Sequence, residues 1–204
     1  MNGGKPLRAL VIAPPGFEVD PLSSSNLVTL MGKEASAERA DLLILVIEAD
    51  RGISQDEISG FNRLRESQIP ALILVTSLMP ASGADDGQDR WDFDDIVMLI
   101  NRTLEKVISP YLVLHDESGL PIGLYDLLSN QVINYSDGLP RREVPDSELV
   151  EIVKDFQDEL AEENFVFSDF TTGLRVVAIP YIAERKIGIE EFNHFITMLQ
   201  QVQP

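Results

Sequence analysis

The stretch "VIAPPGFEVD", residues 11–20, runs an apolar strand into two prolines, a glycine and an acid-bearing turn. In a nucleotide-binding α/β protein, such a strand end is where a loop meets phosphate or magnesium. The residue types needed for that chemistry are missing. Ala13 stands where an aspartate would hold a cation, and no lysine or hydroxyl residue directly follows Gly16. A phosphate-wrapping loop needs GxxxxGK[ST], in which backbone N–H groups cradle the phosphates, lysine supplies charge and the hydroxyl holds magnesium. Gly32-Lys33 is followed by Glu34, with Leu27 at the first glycine's place, and Gly3-Gly4-Lys5 runs into Pro6. Neither pair forms the motif, and the dinucleotide pattern GxGxxG is absent as well.

Other chemistries find little support. There is no GxSxG elbow, and the two histidines are His115, beside Asp116 and Glu117, and His194, between phenylalanines at 192 and 195. Both read as structural. The acids of "DDGQDRWDFDD" lack the calcium-loop spacing of a glycine at position six and a glutamate at twelve. They read as a solvated loop leading to a helix whose N-terminal acids suit its dipole, with Trp91 packing at the edge. The chain has no cysteine, which excludes disulfides, thiolate metal sites and thiol nucleophiles. No resident metal or cofactor is expected.

The elements that must carry these loops follow from periodicity. Near-continuous apolar runs at 7–13, 41–49, 71–78 and 174–183 predict strands buried on both faces. Amphipathic stretches predict helices at 23–40, 54–68, 92–108, 144–164 and 188–202, the second opened by a Ser54/Glu57 capping box. The alternation predicts a three-layer α/β domain over 1–204 with a mainly parallel sheet flanked by helices. Residues 80–90 form a polar loop. Residues 109–145 break the rhythm and predict an inserted segment containing a strand or hairpin. The net charge of −18 argues against a nucleic-acid backbone as partner and is compatible with a basic protein surface. No apolar run reaches the ~20 residues needed to cross a bilayer and no signal-peptide core is evident, so a soluble, cytoplasmic protein is expected.

Three segments resemble one family in order. "ADLLILVIEADRGISQDEISGFNRLRESQIPALILVTSLM" (40–79) resembles the core of translational GTPase G domains of the elongation factor G type. "GLPIGLYDLLSNQVINYSDG" resembles the start of the insertion those domains carry, and "VVAIPYIAERKIGIEEFNHFI" is similar to their last strand, Ser-Ala loop and final helix. The resemblance implies a P-loop GTPase-like fold, truncated or degenerate. Its guanine-reading Asn-Lys-x-Asp falls on Thr76-Ser77-Leu78-Met79, and its Ser-Ala on Ile182-Ala183. Ala13-Pro14-Pro15-Gly16 falls either on the Asp-x-x-Gly loop that senses γ-phosphate, or on a lost P-loop with the switch segment deleted. The Pro-Gly-aromatic-x-x-Asp pattern narrowly favours the first placement. The central position of the first strand in such sheets favours the second.

Either way the resemblance implies a vestigial nucleotide site at Ala13, Pro14, Pro15, Gly16, Thr76, Ser77, Met79, Ile182 and Ala183. It further implies an interaction or scaffold domain of a translation-related factor, its partner being a protein, ribosome-associated or another domain of the same factor. Two alternatives stand beside it. One is a fragment of an active GTPase, using GTP and Mg²⁺, whose P-loop lies outside the chain. The other is an unrelated doubly wound protein binding a small molecule near Ala13, Glu48 and Thr76.

Overall fold

The structure is a computed structural model and describes residues 5–18, 26–30, 36–79 and 91–202. The expected loop at 80–90 and the pairs Gly3-Gly4 and Gly32-Lys33 lie outside the described residues. Five strands form a parallel sheet: β1 (Leu7–Ile12), β2 (Leu27–Thr29), β3 (Leu42–Glu48), β4 (Ala71–Thr76) and β9 (Val176–Pro180), in the order β2-β1-β3-β4-β9. In register, Leu10 pairs with Leu43, Ile44 with Leu72 and Ile73 with Ala178.

The apolar runs predict β1, β3, β4 and β9 because side chains alternate between two covered faces. Leu42, Ile44, Val46, Leu72, Leu74, Val177 and Ile179 join one core, with α6 (Ile189–Val202) supplying Phe192, Phe195, Ile196 and Leu199. Leu43, Leu45, Ile47, Ile73, Val75 and Ala178 join the other, with Phe61 of α1 (Gln55–Arg65) and Phe93, Ile96 and Ile100 of α2 (Phe93–Thr103). This is the expected α/β arrangement of a parallel sheet between helical layers. The predicted capping box is present: Ser54 Oγ accepts from the Glu57 N–H at 3.3 Å, and Glu57 Oε2 accepts from the Ser54 N–H at 2.7 Å. A second box, Asp92 with Asp95, opens α2.

Between α2 and β9 lies a four-stranded antiparallel sheet: β5 (Tyr111–His115), β6 (Pro121–Asp126), β7 (Gln131–Asn134) and β8 (Arg141–Glu143). Helices α3 (Ser147–Ile152), α4 (Lys154–Glu162) and α5 (Phe167–Thr171) then lead back to β9. Tyr111, Leu124, Ile133 and Tyr135 of this segment pack into the α6-side core. The chain leaves and re-enters the main sheet at one place, where the Ile108 N–H donates to the Val176 carbonyl at 2.8 Å and the Ala178 N–H to the Ile108 carbonyl at 2.9 Å. Glu163 pairs with Lys106 and Arg175. Nearby, Arg65 binds Glu105 at 2.7 Å and the carbonyl of Gly173 at 3.0 Å.

Several expected elements are corrected. The helix expected at 23–40 is not formed where it is described: Leu27–Thr29 is β2, paired in parallel with Leu7–Ala9, and Ala37–Arg39 is a single 3-10 turn. Burying Leu27 beside β1 and using its backbone in a ladder outweighs the weak helical spacing. The helix expected at 144–164 is broken at Val153, which turns inward against Leu112, Tyr125 and Leu127. The helix expected at 92–108 stops at Thr103: Leu104 leaves helical geometry, and the Asn101 side chain accepts from the Val107 N–H.

Candidate functional site

All strands of the main sheet are parallel, so the loops after β1, β3, β4 and β9 open on one edge, where doubly wound sheets bind ligands. All nine sequence-predicted site residues fall on this crest. Thr76–Met79 and Ile182–Ala183 follow adjacent strands, whereas Ala13–Gly16 follows β1, two strands from β4 and thus about 10 Å away at ~4.8 Å per strand.

After β1, Ala13 is half-buried against the core and Pro14 is buried. The Phe17 N–H donates to the Pro14 carbonyl at 3.1 Å, with Gly16 at φ +93. Proline second and a positive-φ glycine third make a type II turn. Phe17 packs against the core and anchors the far side of the turn. Phosphate capture by a loop relies on a run of convergent backbone N–H groups. Pro14 and Pro15 have none.

After β3, the Glu48 carbonyl accepts from the N–H groups of Arg51 and Gly52, and Arg51 pairs with the Glu48 carboxylate at 2.9 Å. The edge of the half-exposed Trp91 ring lies 3.7 Å from where a Cβ on Gly52 would stand, so this tryptophan packs over the turn. After β4, the Thr76 hydroxyl is turned into the sheet, donating to the Ile47 carbonyl at 3.4 Å. Ser77 is exposed with φ +58, and Leu78 and Met79 pack against the core. After β9, Ile182 is buried and exchanges backbone bonds with Ile187. The intervening turn exposes Ala183, and Gly188 at φ +85 leads into α6.

Among the described residues the nine sequence-predicted positions offer a phosphate or a base little to bind, and the cations of the turn after β9 are Arg185 and the exposed Lys186. Thr76 spends its hydroxyl internally, Met79 and Ile182 are apolar and packed, and Ala13 and Ala183 carry no polar atom beyond the backbone. Arg51 is already paired. Among the described residues no group of three or more His, Cys, Asp or Glu could hold a metal ion. His194 packs edge-on against Phe167 and Phe195, a structural role, and His115 is exposed at the end of β5.

One buried polar pair was missed. Tyr135, just past β7, donates its hydroxyl to both carboxylate oxygens of Glu191, at 3.0 and 2.8 Å, and Glu191 is 3% exposed. Burial drives the Glu191 carboxyl above the usual range, overriding the hydrogen bonds it accepts from its own N–H and from Tyr135. Burial likewise raises the Tyr135 phenol, with the Glu191 charge adding to the effect. The signal lay in the helix period: Glu191 shares a stripe with Phe195 and Leu199, an acid on an apolar face.

No family model and no curated protein matches the sequence. Solved structures do match, 91 chains in all, and a fold met that often shows architecture and not activity. Among them is the crystal structure of ttk003000868 from Thermus thermophilus, at 18% identity and a TM-score of 0.63. The match covers 82% of this chain and 27% of that one, so this chain spans about a quarter of its neighbour's length. The likeness is one of fold. Among the described residues no helix is long and apolar enough to cross a membrane.

Proposed function

We propose that this chain is a degenerate G domain of the elongation factor G type, one that keeps the sheet and has given up guanine-nucleotide hydrolysis. It serves instead as an interaction or scaffold domain of a translation-related factor. The observation that carries this reading is the Pro14–Phe17 turn, which supplies neither amide cradle, lysine nor magnesium ligand where a phosphate loop would sit. Phosphoryl transfer asks a protein mostly for positioning and charge stabilisation, and the Pro14–Phe17 turn supplies neither. Strand order supports the second of the two placements: β1 lies inside the sheet between β2 and β3, so its turn matches a lost P-loop better than the Asp-x-x-Gly loop. The net charge of −18 suits docking to a basic protein surface rather than to nucleic acid.

The test is a thermal-shift titration with GTP and GDP, with and without Mg²⁺. A ligand at 100 times its Kd adds about 2.7 kcal/mol, or roughly 5–10 °C for a domain of this size. No shift at millimolar nucleotide is expected. A guanine-selective, magnesium-dependent shift refutes the reading and favours a working GTPase fragment. A second reading, a doubly wound small-molecule binder, draws on the reversal of strand order between β1 and β3, which puts a crevice beside Ala13 and Glu48. A stabilising metabolite without a guanine base would favour it.

A further inference from the structure

Glu191 and Tyr135 belong to different parts of the fold. Tyr135 follows the third strand of the antiparallel sheet, and its N–H donates to the Ile122 carbonyl on β6 at 2.8 Å. Glu191 sits in the first turn of α6, the closing helix of the parallel domain. Their contact joins the two bodies within a core otherwise made of Tyr111, Leu124, Ile133, Ile187, Phe192 and similar side chains.

Among the described residues no cation forms an ion pair with this carboxyl. The charged and titratable groups that influence it are Glu190 on its own helix, Arg142 of β8, and the phenols Tyr135 and Tyr111. Arg142 lies 3.7 Å from Asp126, whose carboxylate also accepts from the Ser129 hydroxyl. An ionised, buried carboxylate held by a phenol and a backbone N–H is costly, whereas a protonated one is nearly free, because the Tyr135 hydroxyl can bond with either form. Were the antiparallel sheet to draw away, Glu191 would be hydrated at a helix N-terminus, where the dipole favours its charge.

We propose that the Tyr135–Glu191 contact is a proton-operated latch between the antiparallel sheet and the closing helix, seated when Glu191 is protonated and weakened when it ionises. Seating takes up a proton. The seated state is therefore favoured below the ordinary carboxylate range near ~4.3 and weakens as pH rises through the raised value, tenfold in the equilibrium per unit of difference. The latch is independent of any nucleotide chemistry at the crest.

Hydrogen exchange tests it, with protection factors corrected for intrinsic rates between pH 5 and 8. The readout is the protection of Leu124 and Ile133 in the antiparallel sheet, taken at each pH as the ratio of wild type to Glu191→Gln, which keeps an acceptor and cannot ionise, so that other titrations cancel. The ratio is expected to fall as pH rises, tenfold for each unit by which the seated carboxyl lies above its ordinary value. At pH 8 both amides should exchange faster than Leu45 and Ile73 of the parallel sheet, marking an opening short of global unfolding. In Tyr135→Phe, which keeps the ring and removes the donor, their protection should drop below wild type at pH 8. A ratio independent of pH, exchange no faster than at Leu45 and Ile73, or a Tyr135→Phe profile matching wild type overturns the proposal.

Discussion

Two glycines on the crest separate the cost of a backbone conformation from the cost of a collision. Gly16 and Gly188 both hold positive φ, at +93 and +85. A Cβ on Gly16 would meet nothing within 4 Å, whereas one on Gly188 would lie 1.8 Å from the Pro180 carbonyl oxygen. Since 3.0 Å is the practical floor for such contacts, the backbone must open by 3.0 − 1.8 = 1.2 Å. Gly16→Ala therefore costs only the left-handed penalty, about 1–2 kcal/mol. Gly188→Ala adds displacement of β9's end or of the start of α6, where Pro180, Ile187 and Phe192 are all buried, for a total of about 4 kcal/mol, the range of severe substitutions. At roughly 2–4 °C per kcal/mol for a domain of this size, melting should fall by about 2–8 °C in the first variant and about 8–16 °C in the second. Urea denaturation at fixed pH gives both values with an unchanged m-value. If the two variants lose stability to within ~1 kcal/mol of each other, the close approach at Gly188 is not a constraint on the fold and the reasoning fails.

Two further outcomes are expected. Ser54→Ala removes one half of the capping box on α1 and should lower stability by about 1 kcal/mol in urea, with Ser54→Gly milder; a loss above ~3 kcal/mol would mean the hydroxyl does more than cap. The Asp94 carboxyl is pushed up to about 6, first by burial and then by the charges of Asp92 and Asp95. A raised carboxyl stabilises the fold most when protonated, so its contribution is lost as pH climbs from the ordinary value near ~3.9 through that raised value. Asp94→Asn should melt higher than wild type at pH 7, with the gap closing toward pH 4. A gap that is constant with pH would show that the charge is not the cause.

The parallel sheet was legible in the sequence because β3, β4 and β9 are apolar on both faces, a pattern that burial between two helical layers demands. The α1 boundary was legible because a capping box is local chemistry. What could not be read was decided by distant partners. Leu27–Thr29 is three residues long, too short for any period, and becomes a strand only because β1 is there to pair with it. Val153 breaks its helix by turning toward Tyr125 and Leu127, which the local sequence does not announce. The candidate site followed the same division. The placement of Ala13, Thr76 and Ile182 at strand ends followed from the strands, whereas the inward turn of the Thr76 hydroxyl depends on the Ile47 carbonyl of the neighbouring strand.

The two prolines of the β1 turn make an anion site hard to build at this strand end. A carboxylate or an ammonium can be introduced by one substitution, but a backbone N–H at 14 or 15 only by replacing a proline. Such a replacement first frees a φ that the ring had preset and so loosens the turn. Pro14 is also buried, so its replacement would disturb packing before any ligand was there to compensate. Each proline replacement is therefore destabilising on its own and yields no anion site until charge and further amides are added. For this strand end the proline turn works as a barrier, holding a rigid, packed bend where an amide-lined loop would need freedom.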